Sequence, residues 1–210
     1  MSNINIVEVR EFSEEELLNK IKQVPMLEDK KTFPYKDSFV FTRTLKPSEL
    51  TPAQYYVSKK SLDNIIELNF ALSEKGYDIF NLNGYLEVVH GFSYVDDRRH
   101  QHVIDEYTIS ILPPIVEIHM EYDQERRNII CDGMHRCFLA KKYFREVKCV
   151  VVDAMDIPYY AYPLENGWDD VSFDNWTYKK LHRIKDNKKL YRDFNSVFKN
   201  GSVPRGDVVP

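Results

Sequence analysis

The sequence predicts an α/β fold, and three observations predict it. A strand, turn, strand, helix, strand order runs through its centre, in "PPIVEIHMEYD", "IIC", "MHRCFLAKKYF" and "EVKCVVVDA". Two further helical patterns precede that centre, each with its own start or stop signal. Its 210 residues, 43% hydrophobic and 30% charged, suit one sizeable core, or a core with an appendage.

Each element has a local reason. "NINIVEVREF" alternates apolar and polar residues and reads as a strand. Ser13 follows as a helix cap, with Glu16 three positions on, the capping-box spacing; Leu17, Leu18 and Ile21 give that short helix an apolar stripe. "PMLEDKKTFPYKD" holds two prolines and reads as a loop. "SFVFTRTL" is β-branched and aromatic, and reads as a strand. From about Ser61, a helix carries Leu62, Ile65, Ile66, Leu68, Phe70 and Leu72 and stops at Gly76. A strand or short helix is expected around Tyr85 to His90, followed by a polar loop from Asp96 to His102. "QERRN" reads as the turn between the two central strands, and the near-continuous valines of "EVKCVVVDA" as a buried strand. Beyond Ala154, "IPYYAYPLENGWDDVSFDNW" reads as an aromatic loop and "TYKKLHRIKDNKKLYRDFNSVFKN" as a helix. Residues 175–205 hold nine Lys or Arg against two Asp, a local charge of about +7.

Composition excludes some classes and leaves others open. A net charge of -4 names no partner. No apolar run is long enough for a bilayer, and the first twenty residues lack a basic start followed by an apolar stretch; the expectation is a cytoplasmic protein without a membrane partner. Cys131, Cys137 and Cys149 have no zinc-like spacing and are expected as buried free thiols.

The chemistry-bearing stretch is "CDGMHR". It places Asp132, Gly133, Met134, His135 and Arg136 where a strand gives way to a helix. A helix start carries partial positive charge, so two cationic side chains in its first turn are unfavourable there unless an anion is bound. Gly133 lets an oxyanion approach the backbone, and His135 and Arg136 add donors for a phosphate. Asp132 would hold a magnesium ion beside it or accept a proton from a substrate hydroxyl. The plainer alternative is that Asp132 caps the helix and Gly133 makes the turn.

The stretch "CDGMHRCFLAKKY" resembles the Asp-Gly-x-His-Arg signature of the ParB/sulfiredoxin-like superfamily. "TLKPSELTPAQYYVSKKSLDNI" and "PPIVEIHM" are similar to the elements that precede it there, and the likeness covers about residues 39 to 153. It implies a small mixed sheet with a helix after the signature turn. The resulting division is an N-terminal extension at 1–38, the ParB/sulfiredoxin-like domain at 39–154, and an aromatic loop, basic helix and tail at 155–210. The resemblance further implies that Gly133, Met134, His135 and Arg136 hold the phosphate of ATP, ADP or CTP with magnesium. Phosphoryl transfer to a small-molecule acceptor, or hydrolysis, would follow, with Asp132 and His135 catalytic. Sulfiredoxins carry a cysteine before the His-Arg pair, where this chain has Met134. The free-serine-kinase-like branch resembles it better, but uses an upstream glutamate where Pro52 and Gln54 stand in "LTPAQ"; Glu49 is the nearby carboxylate that would substitute. A second expectation is a nucleic-acid-binding or nuclease-type ParB-like protein, using Lys179, Lys180, Arg183, Lys188 and Lys189. A third is a non-catalytic scaffold.

Other groupings have plainer readings. His90, Asp96, Asp97, His100 and His102 suit a polar lid loop better than a metal site, and His119 suits the interior of its strand. Tyr160, Tyr162 and Trp168 offer rings for stacking, or simply pack together.

Overall fold

A computed structural model describes residues 5–95, 101–121, 125–174 and 190–199. It is a mixed α/β structure with three α-helices and three sheets among the described residues. The helices are α1 (Glu14–Ile21), α2 (Lys59–Ser73) and α3 (Met134–Lys142). None of them is long and apolar enough to cross a membrane.

The largest sheet holds five strands: β2 (Val40–Leu45), β3 (Leu50–Thr51), β7 (Ile115–Met120), β8 (Arg126–Asp132) and β9 (Val147–Asp153). Their spatial order is β2-β9-β7-β8-β3. β9 runs parallel to β7, and β3 parallel to β8, while the other two pairings are antiparallel. Both faces are covered. On β9, Val147, Cys149 and Val151 join the cluster under α2 and α3, while Val150 and Val152 join the cluster of Leu17, Ile21, Tyr35, Phe194 and Phe198. Period-2 alternation between two apolar layers is why the strand reads as an unbroken valine run.

A three-stranded sheet, β1-β5-β6, is formed by β1 (Asn5–Ser13), β5 (Gly84–Val95) and β6 (Gln101–Ile111). Between β1 and α1 the expected capping box is formed: Glu16 N–H donates to Ser13 Oγ at 3.2 Å, and Ser13 N–H donates to Glu16 Oε2 at 2.8 Å. The last two strands, β4 (Tyr56–Ser58) and β10 (Ser172–Asp174), pair in parallel with Asp174 opposite Ser58.

Three expectations are corrected. Of the two alternatives around Tyr85 to His90 the strand holds, but it is half of a long hairpin, and Gln101 and His102 belong to the second strand rather than to a loop. Cross-strand pairing with β1 and β6 fixes this hairpin, and no local pattern encodes it. Arg126, Arg127 and Asn128 lie in β8 rather than in the turn before it, because they extend the ladder beside Met120, His119 and Ile118. The helix expected over 177–200 falls mostly on residues outside those described. Its last part, from Leu190, lies along Pro25 to Leu27 and ends in a 3-10 turn at Phe194–Ser196.

Candidate functional site

Asp132 ends β8, and Gly133 starts α3 as its N-cap at φ 80, in the left-handed region. Two constraints require glycine here. An L side chain is strained at that φ, and a Cβ would lie 2.8 Å from Pro114 Cβ and 3.1 Å from Arg136 Nη2. No side chain caps α3, so Asp132 is not the helix cap. Its carboxylate instead stands 3.9 Å from the Arg136 guanidinium, one turn on.

Arg136 points inward. It is 8% exposed, and Nη1 donates to the Leu112 carbonyl. Burial lowers its pKa, against the opposing charge of Asp132. Met134 is buried in the core beneath α2 and α3. The Cys137 thiol is pushed well up by hydrogen bonding with Cys149 and by burial. Cys131, Cys137 and Cys149 are all buried and free, as expected.

His135 stays half-buried at the rim and joins two helices. Ser58 N–H donates to its Nε2 at 3.2 Å. Ser58 is also the N-cap of α2, its hydroxyl accepting from Ser61 N–H at 3.4 Å. The starts of α2 and α3 therefore meet at this bond. Neither first turn contains an acid; α2 begins with the exposed Lys59 and Lys60, and α3 with Met134, His135 and Arg136.

The signature-based reading missed Ser58, Lys59 and Lys60. For Lys59 and Lys60 the signal was the one read at residues 135 and 136: basic side chains in a first turn, where the helix dipole disfavours positive charge.

The upstream candidates serve their own segment. The Glu49 carboxylate accepts from Lys46 N–H at 2.8 Å, closing the 3-10 turn Pro47–Glu49, and lies 3.6 Å from Arg43 Nη2. The Gln54 amide donates to the Tyr56 carbonyl, and the Pro52 carbonyl accepts from Leu164 N–H at 2.9 Å. Trp168 Nε1 donates to the Pro47 carbonyl at 2.8 Å, and its ring lies against Phe138 of α3. Tyr160 packs against Tyr191, and Tyr162 against Tyr159. Lys179, Lys180, Arg183, Lys188 and Lys189 lie outside the described residues, as do Asp96, Asp97 and His100.

A second polar centre lies on the other side of the sheet. Glu117 of β7 is fully buried, taking hydrogen bonds from Tyr35 Oη at 2.6 Å and Arg192 Nε at 3.0 Å, with His119 Nε2 at 2.7 Å. Burial pulls its carboxyl up, but these partners outweigh burial and leave it below the usual carboxylate range. Arg192 also donates to the Pro158 and Leu190 carbonyls. This network fastens 190–199 to the sheet. Among the described residues, no three His, Cys, Asp or Glu side chains converge as a metal cage.

The family model described as ParB CE domain matches residues 16–172. That span takes in α1 from Glu16 and the residues after β9 as far as Ser172, on both sides of the 39–154 segment that carries the signature likeness. No curated protein and no solved structure matches the chain.

Proposed function

The chain belongs to the ParB CE domain family, and on that premise we propose that it binds a nucleotide through its phosphates where α2 and α3 begin. The observation that carries the reading is the Ser58 N–H to His135 Nε2 bond, which sets two helix starts side by side. Each start supplies backbone N–H groups and partial positive charge, and the two fields add where they meet. Lys59 and Lys60 in the first turn of α2, with no acid in the first turn of either helix, favour an anion there.

In this reading Gly133, Met134 and His135 offer backbone to the phosphates, with no Cβ at Gly133 to hold them off. Arg136 adds its charge from below the glycine. Asp132, half-buried at the end of β8, accepts the proton of an attacking hydroxyl or water. In the alternative role Asp132 would hold magnesium together with the phosphates, since that ion needs only one or two protein carboxylates. Bound there, it would neutralise charge on the transferred phosphoryl group. Glu49, directly before β3, is held by Lys46 N–H and Arg43, so acceptor activation rests on Asp132. The reaction class is phosphoryl transfer from ATP, or another nucleoside triphosphate such as CTP, to a small hydroxylated acceptor or to water.

Calorimetric titration with ATP, ADP and CTP in magnesium tests the binding step. Wild type takes up nucleotide, while a Lys59→Gln, Lys60→Gln variant binds at least roughly tenfold more weakly. Equal affinity in the two proteins removes the proposal.

A further inference from the structure

The ends of α2 and α3 are built from the same hydrogen bonds and differ at one decisive residue. After α2, Gly76 N–H donates to the Ser73 carbonyl at 3.0 Å and Tyr77 N–H to the Leu72 carbonyl at 3.0 Å. After α3, Phe144 N–H donates to the Lys141 carbonyl at 3.3 Å and Arg145 N–H to the Ala140 carbonyl at 2.9 Å. Both are Schellman turns, whose left-handed position suits glycine because it has no Cβ. Gly76 takes it at φ 87; Phe144 takes it at φ 53 and is the only non-glycine residue with positive φ among the described residues.

Phe144 is also 97% exposed. A bulky ring in the left-handed region is strained, and a ring in water gains no burial. Both effects work against the fold, and glycine at this position would avoid both. The turn is nonetheless held firmly: Arg145 Nη2 pairs with Asp78 at 2.5 Å, and its guanidinium lies 4.7 Å from the Phe80 ring centre. The ring is thus displayed on a fixed mount.

Its neighbours define what it would meet. Lys141 and Lys142 are exposed, Tyr143 is 50% exposed, and Lys142 Nζ lies 6.0 Å from the ring centre of Phe173, itself 51% exposed. We propose that this edge, formed by Lys141, Lys142, Tyr143, Phe144 and Phe173, binds single-stranded nucleic acid. The rings stack on bases, and the two lysines meet phosphates. Lysine is depleted from the centres of protein interfaces, which argues against a protein partner. α3 buries its apolar residues under the sheet, so it has no helix face to lay on a bilayer. Lys141, Lys142, Tyr143 and Phe144 lie at the opposite end of α3 from Gly133, while Phe173 pairs with Val57 beside the start of α2, on the side of the nucleotide site proposed above.

Fluorescence anisotropy with a labelled oligothymidylate of about twenty nucleotides, at low and high salt, tests this. Wild type binds at low salt and weakens as salt rises. Phe144→Gly binds roughly tenfold more weakly yet melts no lower than wild type, because glycine suits the turn. Lys141→Gln with Lys142→Gln reduces the log–log salt slope by close to ~2. The proposal is overturned if wild type does not bind at low salt, or if Phe144→Gly binds as well as wild type. Phe144-dependent binding to phosphatidylserine vesicles, with none to the oligonucleotide, also overturns it.

Discussion

Two guanidinium groups are buried on opposite sides of the central sheet, and their charges are met very differently. Arg192 Nη2 stands 2.8 Å from Glu117 Oε1, with Tyr35, His119 and two backbone carbonyls completing the network. Burial alone would lower its pKa, but its acidic surroundings, with the Glu117 carboxylate at 2.8 Å, prevail and raise it. Arg136 has a carboxylate at 3.9 Å and a carbonyl, and burial prevails there. A buried charge with a full complement of partners is a clasp. A buried charge with a distant counterion leaves positive potential beneath Gly133, where the account places a phosphate.

The comparison breaks first at the clasp. Arg192→Met leaves Glu117 buried without its cation and should cost about 3–5 kcal/mol in urea unfolding. Adding Glu117→Gln should recover part of that loss, because the orphaned charge goes too. If Arg192→Met is neutral, the clasp does not hold 190–199. Arg136→Met comes next, at about 1–3 kcal/mol, since only a carbonyl bond and a weak pair are lost. Its larger effect should be on nucleotide affinity, and a stability cost equal to that of Arg192→Met would erase the contrast.

Acid sharpens the same contrast. The Glu117 carboxyl lies below its unfolded value, so its contribution is present above the unfolded pKa and is lost as pH falls through the folded one. Wild type should therefore lose stability on acidification through the ordinary carboxylate range and below it. Glu117→Gln should show a shallower loss, and parallel acid curves would contradict the depressed carboxyl. The smallest effect lies far from either arginine. Ser13→Ala removes the α1 cap and should cost about 1 kcal/mol, whereas no change in melting would mean that α1 is held by packing alone.

Much of the fold was legible because its signals are local. Ser13 with Glu16, Gly76 after α2, and the valines of β9 each sit beside the element they specify. The β5–β6 hairpin was not legible, since its partners are fixed by register with β1 and not by its own alternation. Glu117 was invisible for the same reason: a carboxylate on a strand reads as solvent-facing, and its partners Tyr35 and Arg192 stand 82 and 75 positions away. At the candidate site, residues 132–136 were legible as a strand-to-helix junction. The inward turn of Arg136 and the arrival of Ser58 were not, because Leu112 and α2 come to that junction through tertiary packing.

The central claim is that the joined starts of α2 and α3 hold a nucleotide's phosphates. The most direct measurement is calorimetric titration of wild type and His135→Ala with ATP and magnesium. The substitution keeps a good helix former in the first turn and removes the ring that links it to Ser58. Wild type should bind, and His135→Ala should lose at least about tenfold in affinity with its fold intact by circular dichroism. No binding by wild type, or the same affinity in both proteins, would contradict it.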